Sequence, residues 1–160
     1  DELADLFYRY DEEANGRRSA RAIVRARPLQ TTLQLAVAIE AIIPRRGRVH
    51  PATQTFQALR IAVNGELESV EKILPLAVQA LGPGGRLAII SFHSLEDRLV
   101  KEYFRRESKD CICPPRQPIC TCGHKASIKE ITRRPITPTE AEINQNSRAR
   151  SAKLRVAEKL

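Results

Sequence analysis

A tight turn followed by a strand constrains the fold of this chain more than any other feature. The glycine-rich stretch 82–85 predicts the turn, and the apolar run 86–91 after it predicts a buried parallel strand. Ser94 and Asp97 then form a capping-box pattern, with a helix expected to about Glu107. This order indicates an α/β fold, in which ligands bind beyond the carboxyl end of the strand.

Helical patterns fill the chain upstream of this turn. Apolar residues at helical spacing predict short helices within residues 1–48, which we interpret as a helical subdomain. Thr31 or Thr32 is expected to cap the third of them. A longer apolar stripe over residues 56–81 predicts one long helix. We expect a kink at Pro75, because proline lacks an amide hydrogen and clashes with the preceding turn.

The chain downstream of this region predicts a loop and two further strands. Residues 110–126 are rich in cysteine and proline and predict an irregular loop, and residues 128–132 predict a strand. Thr137 is expected to cap a short helix, with Pro138 at its first position. The alternation over residues 152–157 predicts a final edge strand whose even-numbered side chains are buried.

Positive charge favours a polyanionic partner. The formal net charge is +8, and Arg45, Arg46 and Arg48 form a basic turn. Basic residues that neutralise phosphates release counterions and so favour nucleic-acid binding, although many basic proteins bind none. With four phenylalanines, three tyrosines and no tryptophan, the chain is not expected to present a sheet of base-stacking aromatic residues.

The sequence also carries signals about where the protein is located in the cell and whether the chain is a fragment. No apolar run approaches the roughly 20 residues of a membrane-spanning helix. No basic and then apolar leader is visible, so we expect a cytoplasmic protein with no membrane partner. The chain starts at Asp1 within a helical pattern and contains no methionine, which favours a fragment of a longer protein.

Four long strings carry a family signal. They read HPATQTFQALRI at residues 50–61, PGGRL at 83–87, ISFHSLEDR at 90–98 and RARSAKLRVAEK at 148–159. Together they resemble the MraW/RsmH family of ribosomal RNA methyltransferases. The resemblance implies the C-terminal part of a class I, Rossmann-like methyltransferase with an inserted helical subdomain. Residues 1–48 would then belong to the insertion, and residues 49–160 to the C-terminal part of the methyltransferase domain.

The resemblance also implies an activity and its partners. Members of the family transfer a methyl group from S-adenosylmethionine to the N4 amine of a cytidine in the decoding region of 16S ribosomal RNA, so this RNA and the small ribosomal subunit are the expected partners. The family's glycine-rich loop and ribose-binding acid would lie upstream of Asp1. We therefore expect no cofactor-binding residue in this chain and no activity of the chain alone. No protein partner is predicted.

The end of the predicted strand holds the candidate substrate-positioning residues Ser91, His93 and Ser94. Hydrogen bonds from these side chains would hold the amine of the target cytosine with its lone pair toward the methyl sulfonium. A serine nucleophile activated by the histidine is the rival interpretation, but no orienting acid is identified for that pair. Ser94 could instead serve only as the helix cap.

Six residues are candidate RNA contacts: His50, Thr53, Arg60, Asn64, Arg148 and Arg150. His50 could equally be a solvated residue before the helix, and the two C-terminal arginines could lie on a solvated strand face. Arg60 and Asn64 could instead pair with an acid such as Glu66. Gln54 stands where the family has arginine, which weakens the expected RNA-binding role of its loop.

The four cysteines of the chain, Cys111, Cys113, Cys120 and Cys122, all lie in the loop 110–126. Their thiolates could surround a structural zinc ion, with His124 as an alternative ligand. Free thiols are the other interpretation, and disulfides are not expected in a cytosolic protein. A non-catalytic basic RNA-binding or zinc module is therefore the second functional hypothesis.

Overall fold

Helices dominate the first part of the chain and a small sheet organises the second. The computed structural model describes residues 1–10, 15–45, 47, 49–115, 117 and 119–160. These residues form two compact units, Asp1–Glu66 and Leu67–Leu160. The subdomain boundary predicted at residue 48 lies inside the first unit, and the assignment of residues 1–48 to an insertion stays a prediction. Arg46 and Arg48 of the predicted basic turn lie outside the described residues.

The described residues of the first unit form four helices. They are α1 (Glu2–Tyr10), α2 (Gly16–Ala26), α3 (Thr32–Glu40) and α4 (Ala52–Asn64). Thr31 caps α3, as one of the two predicted caps: its Oγ accepts the N–H of Gln34 at 3.2 Å, and Gln34 Oε1 accepts the N–H of Thr31 at 3.1 Å. Phe7 and Ile39 are fully buried in the core that the apolar faces of these helices share.

The single long helix predicted over residues 56–81 is wrong. The chain forms α4 and then α5 (Glu66–Ala80), with Gly65 between them at φ 59°. Glycine adopts this left-handed conformation without the steric cost of a Cβ, and its N–H donates to the carbonyl of Ile61 to end α4. Pro75 lies inside α5, so the helix is interrupted at the glycine and not at the proline.

In the described part of the second unit, a sheet has three strands: β1 (Arg86–Ser91), β2 (Ile128–Glu130) and β3 (Lys153–Lys159). Their order is β1, β3, β2, and both pairings are antiparallel. The prediction that β1 is a buried parallel strand is wrong within the described residues, because its partner there is the antiparallel β3 and most of its residues are exposed or half-buried. The prediction of β2 is confirmed.

Two predictions about β3 are also wrong. It is the central strand of the described sheet and not an edge strand. Its buried residues are Arg155 and Ala157, 3% and 1% exposed, whereas Leu154 and Val156 are half-buried. The alternation exists, but the buried face is the opposite one, because an ion pair described below allows an arginine to be buried.

Helices cover the sheet of the second unit. α6 (Ser94–Glu107) ends where predicted, and its Val100 and Phe104 pack with Leu74 and Val78 of α5 in one core cluster. A short helix α7 (Glu140–Gln145) and a 3₁₀ helix (Ser147–Ser151) precede β3. The cap of α7 is Thr139 and not Thr137, because the side chain of Thr139 accepts the N–H of Glu142.

The described residues of 110–126 form no helix or strand, as predicted. Within the described ranges the chain has mixed α/β structure, and none of its helices has the length and apolar character needed to cross a membrane.

Candidate functional site

The turn from β1 into α6 brings the three predicted strand-end residues together in sequence and in structure. Ser91 is the last residue of β1 and is buried, and its hydroxyl donates to the carbonyl oxygen of Lys153 on β3 at 3.4 Å. Ser94 is the first residue of α6 and is exposed. The two hydroxyls therefore differ: one is directed at the sheet, and the other is open to solvent.

His93 and not Ser94 caps α6, so the predicted capping box of Ser94 and Asp97 is wrong. His93 Nδ1 accepts the N–H of Glu96 at 3.3 Å, and Glu96 Oε2 accepts the N–H groups of Phe92 at 3.0 Å and of His93 at 3.4 Å. A neutral ring that accepts through Nδ1 carries its proton on Nε2, and this nitrogen lies 3.3 Å from Glu96 Oε1. The hydrogen bond from the backbone N–H of Glu96 to Nδ1 therefore holds the imidazole at the start of the helix.

A buried ion pair below this turn was missed by the sequence reasoning. Arg155 of β3 contacts Asp97 of α6 through two hydrogen bonds, Nε to Oδ1 at 2.6 Å and Nη2 to Oδ2 at 3.2 Å. Lys153 Nζ lies 3.5 Å from the same carboxylate. Burial opposes ionisation of Asp97, but the hydrogen bonds and charge of Arg155, together with Lys153, lower its pKa below the ordinary value.

Phe92 is a second residue that the sequence reasoning did not single out. It lies between Ser91 and His93, and 56% of it is exposed. The sequence did carry a signal for Phe92, since it is an aromatic residue between Ser91 and His93, directly after an apolar strand. Phe92 and Ser94 are both exposed in this turn, so the strand end offers an apolar ring and a hydroxyl to solvent.

The turn after β1 lacks the free backbone amides of a cradle for S-adenosylmethionine. Such a cradle needs backbone amides at a glycine-rich turn after a strand. The glycines at 82–85 precede β1, and the amides of Phe92 and His93 after it are occupied by Glu96. The expectation of no cofactor-binding residue in this chain remains a prediction for the whole protein.

In the first unit, His50 supports the beginning of α4. Its Nδ1 accepts the N–H of Ala52 at 3.1 Å, and its Nε2 lies 3.8 Å from a carboxylate oxygen of Glu40. The side chain is 40% exposed and lines an open cleft of about 480 Å³ together with Arg18 and Gln54. Thr53 is exposed on the first turn of α4.

Arg60 and Asn64 lie one turn apart on α4, and both contact Glu66. Arg60 forms two hydrogen bonds with the carboxylate, at 2.8 and 3.0 Å, and Asn64 Nδ2 donates to it at 3.1 Å. The surface pairing considered as an alternative is therefore present in the structure. Arg60 and Asn64 are therefore hydrogen-bonded to Glu66 in this structure and do not offer free donors to a phosphate.

Arg148 and Arg150 lie in the 3₁₀ helix before β3, and both are exposed. Within the part of the chain that the structure describes, neither guanidinium pairs with a carboxylate, in contrast to Arg60, Arg86 and Arg155. Both guanidinium groups are therefore exposed to solvent and available to a polyanion.

The four cysteines of the loop place their sulfur atoms within 4.8 Å of one another, and none is in a disulfide. His124, the alternative ligand, instead has its Nε2 3.1 Å from the carbonyl oxygen of Arg106. The structure thus brings the predicted cysteines together without the histidine.

Comparison with known proteins places these features in a family. The sequence profile of the group described as the MraW methylase family matches residues 1–160. A protein of Dehalococcoides mccartyi named ribosomal RNA small subunit methyltransferase H is 58% identical over 160 residues, covering 99% of this chain and 46% of the relative. Relatives with the same name from Thermomicrobium roseum and Brevibacillus brevis are 53% and 52% identical, covering 100% of this chain and 50% and 53% of their own lengths. The chain spans about half the length of these curated relatives.

Proposed function

Because the chain belongs to the MraW methylase family, we propose that the whole protein transfers a methyl group from S-adenosylmethionine to the N4 amine of a cytidine in the decoding region of 16S ribosomal RNA. The observation that carries this proposal is the family match over all 160 residues. The relatives named above are called methyltransferases, so they give the alternative of a non-catalytic module no support. We expect the protein to act in the cytoplasm on the small ribosomal subunit.

The free edge of β1 supports a larger sheet in the whole protein. Within the described residues β1 pairs only with β3, and Ile90 on it is 59% exposed. An exposed apolar edge strand is normally paired or covered in a native protein. We propose that strands encoded upstream pair with this edge, as in a class I methyltransferase sheet, and that they carry the S-adenosylmethionine site.

The strand end supplies groups that could position the target base. We assign the exposed Phe92 to stacking on the cytosine and the exposed Ser94 hydroxyl to accepting a hydrogen bond from its N4 amine. Ser91 and His93 act as positioning residues, because their side chains are occupied by Lys153 and Glu96 and fix the turn. This arrangement orients the N4 lone pair without a covalent intermediate.

Two basic regions support the RNA assignment unequally. Arg148 and Arg150 are exposed and without a carboxylate partner in the described chain, so we propose that they contact RNA phosphates. Arg60 and Asn64 would have to leave Glu66 to do so. His50 and Thr53 at the beginning of α4 are proposed to contact RNA beside the cleft lined by Gln54.

Methylation of the natural particle tests this function. The protein, extended upstream to the length of its relatives, is incubated with S-adenosylmethionine and small ribosomal subunits that lack the modification. The decoding-region fragment of the RNA is then isolated and digested, and its nucleosides are separated by liquid chromatography and identified by mass spectrometry. We expect N4-methylcytidine from the decoding region. Methylation of another base, or of a carbon atom of cytosine, would contradict the proposal.

A further inference from the structure

The loop between α6 and β2 holds four sulfur atoms at spacings that suit one metal ion. The Sγ–Sγ distances are 3.6 Å for Cys120 and Cys122, 3.9 Å for Cys111 and Cys122, and 4.0 Å for Cys113 and Cys120. Four thiolates about 2.3 Å from a zinc ion lie about 3.8 Å from one another at the corners of a tetrahedron. The three observed Sγ–Sγ distances are each within about 0.2 Å of this value, so the sulfur atoms are spaced as in a tetrahedral zinc site.

We propose that Cys111, Cys113, Cys120 and Cys122 bind one zinc ion as a structural site that fixes this loop. The proposal is independent of the methyltransferase function. A disulfide requires sulfur atoms about 2.05 Å apart, and the pairs here are much farther apart. Four sulfur atoms around one point also form a closed site, which leaves no open position for substrate and favours a structural role.

The described part of the loop has no apolar core that could determine its shape. Among the described residues, none of the buried core positions lies between Cys111 and Gly123. Ile112 and Ile119 within this segment are 46% and 75% exposed. A segment that buries so little apolar surface needs another stabilising interaction to keep one conformation. A metal ion supplies it, because the free energy of metal binding contributes to folding.

The base of the loop is already closed by hydrogen bonds, so the two cysteine pairs start close together. The N–H of Ser127 donates to the carbonyl of Glu107 at 2.9 Å, and its hydroxyl donates to the Glu107 carboxylate at 3.2 Å. The N–H of Ala126 donates to Asp110 Oδ1 at 3.2 Å. Closing the base reduces the conformational entropy that metal binding must still overcome.

His124 belongs to this base and not to the ligand set. Its Nε2 lies 3.1 Å from the carbonyl oxygen of Arg106, at the end of α6. Near the sulfur atoms, the N–H of Cys113 points to Cys111 Sγ at 3.4 Å, a contact that stabilises a thiolate ligand. The inferred ligands are therefore the four cysteines. His124 lies near them without being a ligand, so its substitution is a control for the cysteine variants.

The metal content of the 160-residue chain tests the site directly. The chain is expressed with zinc in the medium, purified under reducing conditions, and analysed by inductively coupled plasma mass spectrometry. We expect one zinc per chain. Replacement of zinc by Co²⁺ should give the intense visible bands of a tetrahedral thiolate site. Four free thiols with no bound metal, two disulfides, or iron in place of zinc would each overturn the proposal.

Matched variants identify the ligands. Even outer partners of metal ligands contribute about 10- to 100-fold to affinity, so Cys113→Ser and Cys120→Ser should each lower zinc affinity by at least that factor. His124→Ala should keep one zinc per chain. Equal loss of zinc in His124→Ala and the cysteine variants would contradict the four-cysteine set. If a cysteine variant fails to fold, the Co²⁺ spectrum of the unchanged chain still decides between a tetrahedral thiolate site and none.

Discussion

At the scale of single residues, the turn after β1 combines fixed and exposed side chains. Ser91 and His93 are held by neighbouring groups, whereas Phe92 and Ser94 between and after them are exposed. The sequence strings identified this turn correctly, but they could not say which side chains are occupied. That depends on Lys153, which is distant in sequence, and on Glu96, whose carboxylate folds back onto the turn.

Removal of the Phe92 ring tests its proposed stacking role in the full-length enzyme. Base–aromatic stacking contributes about 1 to 3 kcal/mol, so Phe92→Ala should lower kcat/KM for the small subunit by about 5- to 160-fold. Phe92→Tyr keeps the ring and should retain most of the activity. Because Phe92 is 56% exposed, the free energy of unfolding should change little in either variant. An equal loss of activity in both variants would argue against stacking.

The pair of Asp97 and Arg155 should make stability depend on pH. The folded-state pKa of Asp97 is lowered, so its contribution is present above the unfolded pKa of about 3.9 and is lost as the pH falls through the folded value. Breaking a buried pair on one side costs about 3 to 5 kcal/mol, so Asp97→Asn should destabilise the chain by about that amount at neutral pH. Urea unfolding measured at neutral and acidic pH gives both quantities.

The control for this pair is Glu158→Gln, which removes the partner of Arg86 on the surface of the same sheet. Arg86 is 69% exposed at its side chain, and exposed pairs contribute about 0 to 1 kcal/mol. If Asp97→Asn costs no more than Glu158→Gln, the buried pair does not stabilise the fold as argued.

At the scale of elements, local signals located the strands and several helix ends, but they did not predict how the strands pair. Thr31, as one of two candidate caps, and the end of α6 at Glu107 were predicted from the sequence, because capping and helical spacing involve residues three or four apart. The pairing of β1 with β3 joins residues about 70 positions apart, such as Arg86 and Glu158, and no local pattern specifies it. The buried Arg155 was missed for the same reason, since its partner lies on α6.

Gly65 determines where the long helical pattern breaks. Its φ of 59° disfavours any residue with a Cβ, so Gly65→Ala should destabilise the chain by about 1 to 2 kcal/mol in urea unfolding. Gly82→Ala is the matched control, because a Cβ added there meets no atom within 4 Å and its φ is not left-handed. Equal destabilisation by the two substitutions would show that the left-handed conformation is not the cause.

At the scale of the whole molecule, the basic charge should act through a few arginines. In the full-length protein, Arg148→Ala and Arg150→Ala should each reduce the slope of log affinity for the small-subunit RNA against log salt by about 1. Arg60→Ala removes the same charge from an arginine paired with Glu66 and should reduce the slope less. Filter binding over a series of salt concentrations measures this. An equal change in all three variants would point to net charge alone.

We propose that this chain is one part of a methyltransferase whose cofactor site is formed by residues outside 1–160. Calorimetric titration of S-adenosylmethionine into the chain, and into a version extended upstream to the length of its relatives, tests it most directly. Binding to the extended version alone is the predicted result. Equal binding to both would contradict the claim and would locate the cofactor site within these 160 residues.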